Sequence, residues 1–525
     1  MNQNQIHSLL NPAAYPEPTT TVRMLQTHIS LLFITDRFVY KIKKPVNPGF
    51  LDFATLERRH YFCHEELRLN RRLAPEVYLD VVPVRTTSQG VALKGNGTIV
   101  DYAVKMVRLP EERMMNRLLE QGTVSSRQIR ELAGIIGRFH LAAATGPEIA
   151  RFGVPEAVRA NWAENFKLVE PFIGRTVSRA DFQLMQTWVA DFFTRQEDLL
   201  ERRAADGFIR EGDGDLHAGN ICLTDPPVIF DCIEFNKRFR CLDTAADIAF
   251  LLMDLEYYRC GGLARVFLDE YCAVTGDTGA RDVVPFYRVY RAFIRGEVES
   301  IKAAEPELSC EERDRAAESA RRHFLLARGL ILRTRLPLTI FITCGLTGSG
   351  KSFLATELSF QLGLEIFSSD RVRKELAGIA PTARCREGYH HGIYHPDFTR
   401  KTYDRLRELA NRALTAGRSV IIDATFRDPA ERAAFRKLAA CHHARFVILL
   451  TRCSEEVALQ RLDERERRND SVSDGRRSVF AAQKNEFVAP DPAEGEVIGV
   501  DTAESLVHTM DALLTSPGVL PCGLD

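Results

Sequence analysis

No two of the 12 cysteines are spaced C-x-x-C, and their scatter matches neither a disulfide framework nor a zinc site. Reduced thiols in a cytoplasmic protein are the expectation. Long apolar runs are missing as well. The stretch D-I-A-F-L-L-M-D at 247–254 is closed by acids at both ends, so no membrane span is expected. The opening residues, M-N-Q-N-Q-I-H-S-L-L-N-P, lack the basic head and apolar stretch of a secretory signal. An excess of one charge is also absent: 70 Lys and Arg stand against 71 Asp and Glu, for a net charge of −1. No global field therefore draws in nucleic acid or a membrane surface, and a nucleic-acid partner is not favoured. There is no internal repeat, low-complexity tract or Gly/Ser-rich tether. What is present is a chain of 525 residues, 45% hydrophobic and 27% charged, too long for one ordinary core.

The stretch that organises the chain is T-I-F-I-T-C-G-L-T-G-S-G-K-S at 339–352. An apolar strand enters Gly345-Leu346-Thr347-Gly348-Ser349-Gly350-Lys351-Ser352, and a helical run follows, which is the context a P-loop requires. The glycines let the backbone aim its N–H groups at phosphate oxygens, and the helix N-terminus adds partial positive charge. Lys351 is placed to neutralise the β/γ-phosphates and Ser352 to hold Mg²⁺. ATP and Mg²⁺ are the expected cofactors.

Upstream, residues 22–26, 30–35 and 37–43 read as strands, with Lys41 and Lys43 on one face of the third. A helix over 56–73 carries Glu65 and Glu66. Strands return at 78–84 and 98–107, and after Pro110 the chain turns predominantly helical. A strand-rich lobe followed by a helical lobe suggests a cleft. The words that carry chemistry come next: E-G-D-G-D-L-H-A-G-N with Asp215 and Asn220, then P-P-V-I-F-D with Asp231 at a strand end.

G-D-L-H-x-G-N followed by a strand ending in Asp resembles the aminoglycoside phosphotransferase and choline kinase families, over roughly residues 20–335. The resemblance implies an α+β bilobal, protein-kinase-like domain. It implies that Asp215 receives or orients the acceptor hydroxyl proton and that Asn220 and Asp231 hold Mg²⁺. It further implies that Lys41 contacts the nucleotide phosphates, paired with Glu66; Lys43 and Glu65 are neighbours that the pattern does not separate from them. The histidine usual before the catalytic Asp is replaced by Asp213. No G-x-G-x-x-G loop is present, its place being taken by Thr27-His28-Ile29-Ser30. His140 reads as a core histidine, His217 as a shaper of the loop, and Asp243 and Asp247 as structural aspartates.

A basic helix over 310–335 ends at Leu336-Pro337, which sets the expected domains at 1–335 and 336–525. Beyond the P-loop, a strand ends at Asp370 in S-D-R-V-R-K-E-L. A buried strand V-I-I-D ends at Asp423, a Walker-B-like carboxylate, and Arg461 and Arg465 stand at i,i+4 on a helix. This set resembles the P-loop kinases that include polynucleotide kinase, gluconate kinase and zeta-toxin-like proteins, over about 338–515. The resemblance implies an α/β P-loop NTPase domain with a mainly parallel sheet. It implies Asp370 as base, Arg373 as the acceptor- or transition-state-binding arginine, and Arg461 and Arg465 as lid arginines toward the phosphates. Cys385, His390, His391 and His395 are spaced too loosely for zinc, and 381–403, with Tyr394, Arg400 and Tyr403, reads as an acceptor-side insert. The combined order resembles bifunctional aminoglycoside phosphotransferase/ATP-binding proteins. The implied activity is ATP-dependent transfer of the γ-phosphoryl to hydroxyls of small molecules. Two alternatives are a P-loop domain acting as a nucleotide switch and a polynucleotide 5′-hydroxyl kinase in the C-terminal part. Nothing in the sequence reads as a particular acceptor.

Overall fold

Alternation organises the first sheet. Along Phe38–Lys43, Tyr40 and Ile42 turn to one face and Lys41 and Lys43 to the other. The computed structural model describes the chain except residues 48, 50, 89, 381–390, 469–476, 504–509, 511–512 and 515–525, with backbone alone for 468 and 478. Strands β1 (Arg23–Gln26), β2 (Ser30–Ile34), β3 (Phe38–Lys43), β4 (Tyr78–Thr87), β5 (Gly90–Ala92) and β6 (Ile99–Val107) form one antiparallel sheet. Its order is β1-β2-β3-β6-β4-β5. The short edge strand β5 was not legible in the sequence. The Tyr40 face is covered by the N-terminal segment through Leu9 and Tyr15, whose hydroxyl donates to Leu9 O at 2.7 Å. The lysine face is covered by the helix Leu56–Asn70, which lays Cys63 and Leu67 on Val104 and Met106. Thr55 starts that helix by accepting the Arg58 N–H.

Helices dominate after β6. Ser126–Ala142 opens on a capping box formed by Ser125 and Gln128. Trp162, Phe166, Phe182 and Phe293 interlock edge to face in the lobe's centre. Two small ribbons interrupt the helices: β7 (Ile209–Glu211) pairs with β10 (Cys241–Asp243), and β8 (Ile221–Cys222) with β9 (Val228–Ile229). This strand lobe followed by a helical lobe is the α+β bilobal, protein-kinase-like fold expected.

The second sheet consists of β11 (Thr339–Cys344), β12 (Glu365–Ser368), β13 (Val420–Asp423), β14 (Arg445–Arg452) and β15 (Glu496–Asp501). It is wholly parallel, in the order β12-β13-β11-β14-β15. Every residue of β11 and β13 is buried, which is why both read as unbroken apolar runs rather than alternating ones. Ile340, Ile342 and Ile422 pack with Leu406, Ala410 and Phe435 of the flanking helices. This is the α/β P-loop architecture expected.

The chain divides into two compact units, Met1–Ala327 and Arg328–Asp525. The division falls inside the helix Cys310–Arg333 rather than after residue 335. Its earlier turns belong with the helical lobe, where Phe324 packs on Phe293. Its last turns belong with the P-loop unit. Arg328 donates to Gln361 Oε1 at 2.8 Å, and Gly329 lies so close to the Gln361 backbone that a Cβ there would meet its carbonyl oxygen at 1.5 Å. No described helix is long and apolar enough to cross a membrane, and the ten described cysteines are free thiols.

Candidate active sites

The catalytic-type loop of the first unit is wound around Asp247. That buried carboxylate accepts the N–H groups of Asp213 and Gly214, at 2.8 and 3.0 Å, and faces His140 Nε2 at 3.2 Å. Gly214 has φ +88°, and a Cβ there would strike Phe239 O at 2.7 Å, so the turn requires glycine. Arg291 ties the loop from beneath through Gly214 O and Ala246 O. His140 is the buried histidine expected, shared between Asp247 and the Tyr271 hydroxyl. Asp213, standing where the related families carry histidine, is buried, and its carboxylate accepts the Asp215 N–H at 3.1 Å. Burial, with Asp247 and Asp215 beside it, raises its pKa well above the carboxylate range.

Asp215 and Asn220 come together: Asn220 Nδ2 donates to Asp215 Oδ2 at 3.0 Å and to Asp215 O at 3.1 Å. The amide oxygen of Asn220 thereby remains the group available for a cation. Burial acts to raise the Asp215 pKa, but His217, Arg295 and Arg291 outweigh it and hold the group at about 2. His217 Nδ1 accepts the Gly219 N–H at 3.0 Å, which leaves the proton on Nε2, 3.6 Å from Asp215 Oδ2.

The lysine pair left open by sequence separates by environment. Lys41 Nζ lies 2.9 Å from Glu66 Oε1 and 2.5 Å from Asp231 Oδ1. Lys43 Nζ lies 2.6 Å from Glu66 Oε2 and pairs with Glu234. Glu66 thus holds both lysines, whereas Glu65 pairs with Arg68. Lys41 reaches the half-exposed Asp231, two residues past β9, while Lys43 is sealed among buried carboxylates. Burial disfavours the Lys41 charge, but Asp231, Glu66 and Glu234 overcome it and raise its pKa well above a free lysine's. Burial likewise acts to raise Glu66, yet the two lysines hold it down at about 2. Asp231 has φ +67°, rare for a non-glycine residue, and its N–H donates to the Tyr78 hydroxyl at 3.1 Å.

In the second unit, the P-loop leaves β11 at its C-terminal end beside β13, so Lys351, Ser352 and Asp423 converge. Lys351 is buried and donates to Leu346 O at 2.7 Å. Burial lowers its pKa against the pull of Asp423 and Asp370. Asp423 is raised by burial despite a hydrogen bond from Ser352 and the nearby Lys351 charge. Gly348 has φ +80°, and a Cβ there would meet Ala458 O at 2.8 Å, so the helix Glu455–Arg468 closes directly over the loop. Thr347 N donates to Gln483 Oε1 at 3.0 Å.

The remaining candidates do not act as one group. Asp370 lies close enough to Lys351 and Asp423 to perturb both. Arg373 is buried: its Nη1 donates to Ile393 O at 2.7 Å and Thr399 Oγ1 at 3.1 Å, and its guanidinium covers the Tyr394 ring. Arg465 lies within electrostatic range of Lys351. Arg461 bonds Thr502 Oγ1 and O, and Thr502 in turn donates to Ser349 O at 2.9 Å. Tyr403 is buried and bonds the Phe426 N–H, so it belongs to the core rather than to an acceptor surface. Cys385 and His390 lie outside the described residues.

The donor sets fit Mg²⁺. Asn220 with Asp231, and Ser352 with Asp423, offer the hard oxygens this ion takes, and an ion arriving with ATP needs only one or two protein ligands besides phosphate. Among the described residues no cluster of three or more His, Cys, Asp or Glu suits a metal. Sequence reasoning missed Glu234, Asp254, Gln483 and Thr502. Glu234 was the most legible, as a lone carboxylate in an apolar run three residues after Asp231. The others depend on long-range packing.

Residues 340–490 match the family model described as an AAA domain. Over 442 residues the chain is 31% identical to the uncharacterized protein Rv2004c of Mycobacterium tuberculosis, covering 84% of this chain and 85% of that one. The uncharacterized protein Mb2027c of Mycobacterium bovis matches to the same extent. The chain belongs to the family of these mycobacterial proteins. Among solved structures, the GDP complex of aminoglycoside 2′-phosphotransferase-IIIa aligns at 14% identity with TM-score 0.37, over 62% of this chain and 99% of that one. A gluconokinase from Sinorhizobium meliloti aligns at 20% identity with TM-score 0.26, over 35% of this chain and 93% of that one. The resemblances read from the sequence are borne out in both halves.

Proposed function

We propose that the chain transfers the γ-phosphoryl of ATP to hydroxyl groups of small molecules, with Mg²⁺, at a site in the first unit and at a second in the P-loop unit. The observation that carries this is the Lys41 bridge: one ammonium joins helix Leu56–Asn70, through Glu66, to Asp231 after the catalytic-type loop. That linkage joins a helix of the strand lobe to the helical lobe, and it supports Lys41 as the charge that would meet the nucleotide phosphates. Mg²⁺ would supply charge neutralisation at the β/γ-phosphates, held by Asn220 and Asp231 in one site and by Ser352 and Asp423 in the other. With its pKa near 2, Asp215 is ionised at neutral pH and too weak a base to deprotonate an alcohol before transfer. Its work is to orient the acceptor hydroxyl and take the proton as the phosphoryl group arrives, which a loose transition state permits. In the second unit Lys351 would hold the β/γ-phosphates and Asp370 would face the acceptor.

Two observations favour a second reading for the P-loop unit. Gln483 caps a P-loop N–H, and Arg373 is committed to packing, as suits a nucleotide-dependent switch. The test is ATP turnover against a metabolite pool, read by mass spectrometry on wild type, Asp215→Asn and Lys351→Ala. Products lost only in Asp215→Asn belong to the first unit, and those lost only in Lys351→Ala to the second. A wild type that binds ATP and makes no product sinks the two-kinase reading in favour of the switch.

A further inference from the structure

The helix Leu56–Asn70 carries H-Y-F-C-H, with His60 and His64 four residues apart and so on one face. On a helix this is the spacing at which two imidazoles reach one metal ion. The transfer reaction does not use the pair. Their Nε2 atoms converge to 3.1 Å. His60 is half-buried and lies against the Tyr102 ring of β6, with centroids 4.0 Å apart and planes at 33°. His64 is exposed and meets His60 edge to face, at 4.7 Å and 87°. Cys63, Glu66 and Leu67 of the same helix are buried, so the histidines look away from the Glu66 linkage to Lys41 and Lys43.

Among the described residues neither ring has another hydrogen bond or ion pair. Burial, with His64 beside it, lowers the His60 pKa below that of a free histidine, so at neutral pH this ring is uncharged and keeps a lone pair. Two neutral imidazoles that meet through Nε2 share one hydrogen, donated by one ring to the lone pair of the other. An arriving metal ion takes its place: the hydrogen shifts to Nδ1 of its own ring, and both Nε2 lone pairs turn to the metal. Distance supports the exchange. Imidazole nitrogens sit about 2.0–2.1 Å from such an ion, so two of them stand about 2.9 Å apart at a right angle and about 3.4 Å apart at the tetrahedral angle. The observed 3.1 Å falls between these limits. Imidazole suits Zn²⁺, Ni²⁺ and Cu²⁺, whereas Mg²⁺ takes oxygen, so this chemistry is distinct from that of the nucleotide sites.

We infer that His60 and His64 form a binding site for a divalent transition-metal ion, with water filling its other positions, and that the bound ion clamps the helical turn ahead of Glu66. Among the described residues no third His, Cys, Asp or Glu completes a cluster, so the site is a two-ligand chelate whose ion exchanges. The helix holds both rings together, which makes the second ligation intramolecular; an unfolded chain offers no such prearranged pair. Metal binding therefore stabilises the folded first unit.

The full-length chain, stripped by EDTA and returned to buffer with Mg²⁺ to fill the oxygen sites, is titrated calorimetrically with zinc chloride and, separately, nickel chloride. Wild type is compared with His60→Ala, His64→Ala and the double variant. Wild type is expected to bind one ion that each variant binds about tenfold or more weakly, and each single change is expected to lose as much as the double, because one imidazole is no chelate. His64→Cys, which restores a ligand at that position, is expected to recover binding. Urea unfolding followed through Trp162 and Trp188 gives a second readout of the first unit. Zn²⁺ is expected to raise the wild-type midpoint and to leave that of His64→Ala at its value in EDTA. His64 is exposed, and the His64→Ala midpoint in EDTA checks that its fold is intact. Equal stoichiometry and affinity in wild type and both single variants, or a midpoint that Zn²⁺ shifts no more in wild type than in His64→Ala, overturns the inference and leaves a hydrogen bond between two imidazoles.

Discussion

Replacing Lys41 and Lys43 by methionine, one at a time, separates a functional charge from a structural one. Lys43 Nζ sits between Glu66 and Glu234, both buried. Without it, Glu66 still has Lys41, but Glu234 loses the one ion-pair partner described for it and stays out of water. Breaking a buried pair on one side costs about 3–5 kcal/mol, so Lys43→Met is expected to destabilise the first unit by about that amount. Lys41 is different. Its loss leaves Glu66 with Lys43, and the other orphan, Asp231, has a side chain 41% exposed that water solvates. The expected stability cost is about 1 kcal/mol or less. Transition-state charge stabilisation is where Lys41 matters, and removing such a donor slows turnover about 10²–10³-fold. Both tryptophans, Trp162 and Trp188, lie in the first unit, so urea unfolding followed by tryptophan fluorescence reports that unit alone. Phosphoryl transfer by the folded variants supplies the second readout. A stable, inactive Lys43→Met alongside an active Lys41→Met would refute the assignment.

Glu297 gives a pH-dependent test. It is buried, with Oε2 lacking a hydrogen-bond partner among the described residues, and burial together with Glu164 pushes its pKa up to about 8 from 4.5. A raised carboxyl favours the folded state only while protonated in both states. Stability is therefore lost as pH rises from about 4.5 to 8, reaching about 3 kcal/mol at neutral pH. Glu297→Gln should raise first-unit stability near pH 7 to 8 and leave it unchanged at pH 4, by the same fluorescence assay. Glu66 runs the opposite way: its lowered pKa contributes stability above about pH 4.5 that disappears as pH falls toward 2. Glu66→Gln should flatten the acid limb of wild-type unfolding over that window. In the P-loop unit, Gln483→Ala frees the Thr347 N–H, and nucleotide affinity measured by calorimetry should rise about fivefold, the worth of one neutral hydrogen bond. Unchanged affinity would mean that Gln483 does not compete with nucleotide.

Whatever rests on short-range pattern can be read from the residues alone. The parallel sheet was legible because β11 and β13 are buried on both faces and read as apolar runs, and the P-loop because its glycines, lysine and serine must be contiguous to wrap a phosphate. Asp215 and Asn220 were legible because five residues of one tight loop bring them together. Long-range packing chose among equivalent neighbours. Lys41 and Lys43 share a strand face, and what distinguishes them is that Asp231 approaches one and Glu234 the other, from nearly two hundred residues downstream. Arg373 and Asp370 are three residues apart on one helix, yet Ile393 O and Thr399 draw the arginine into the packing while the carboxylate stays near Lys351. A cavity beside the catalytic-type loop was invisible to sequence because its lining comes from separate segments that only the helical lobe's packing brings together. A chain encodes the chemistry of a residue locally, but the field around it is the sum of everything that folding places nearby.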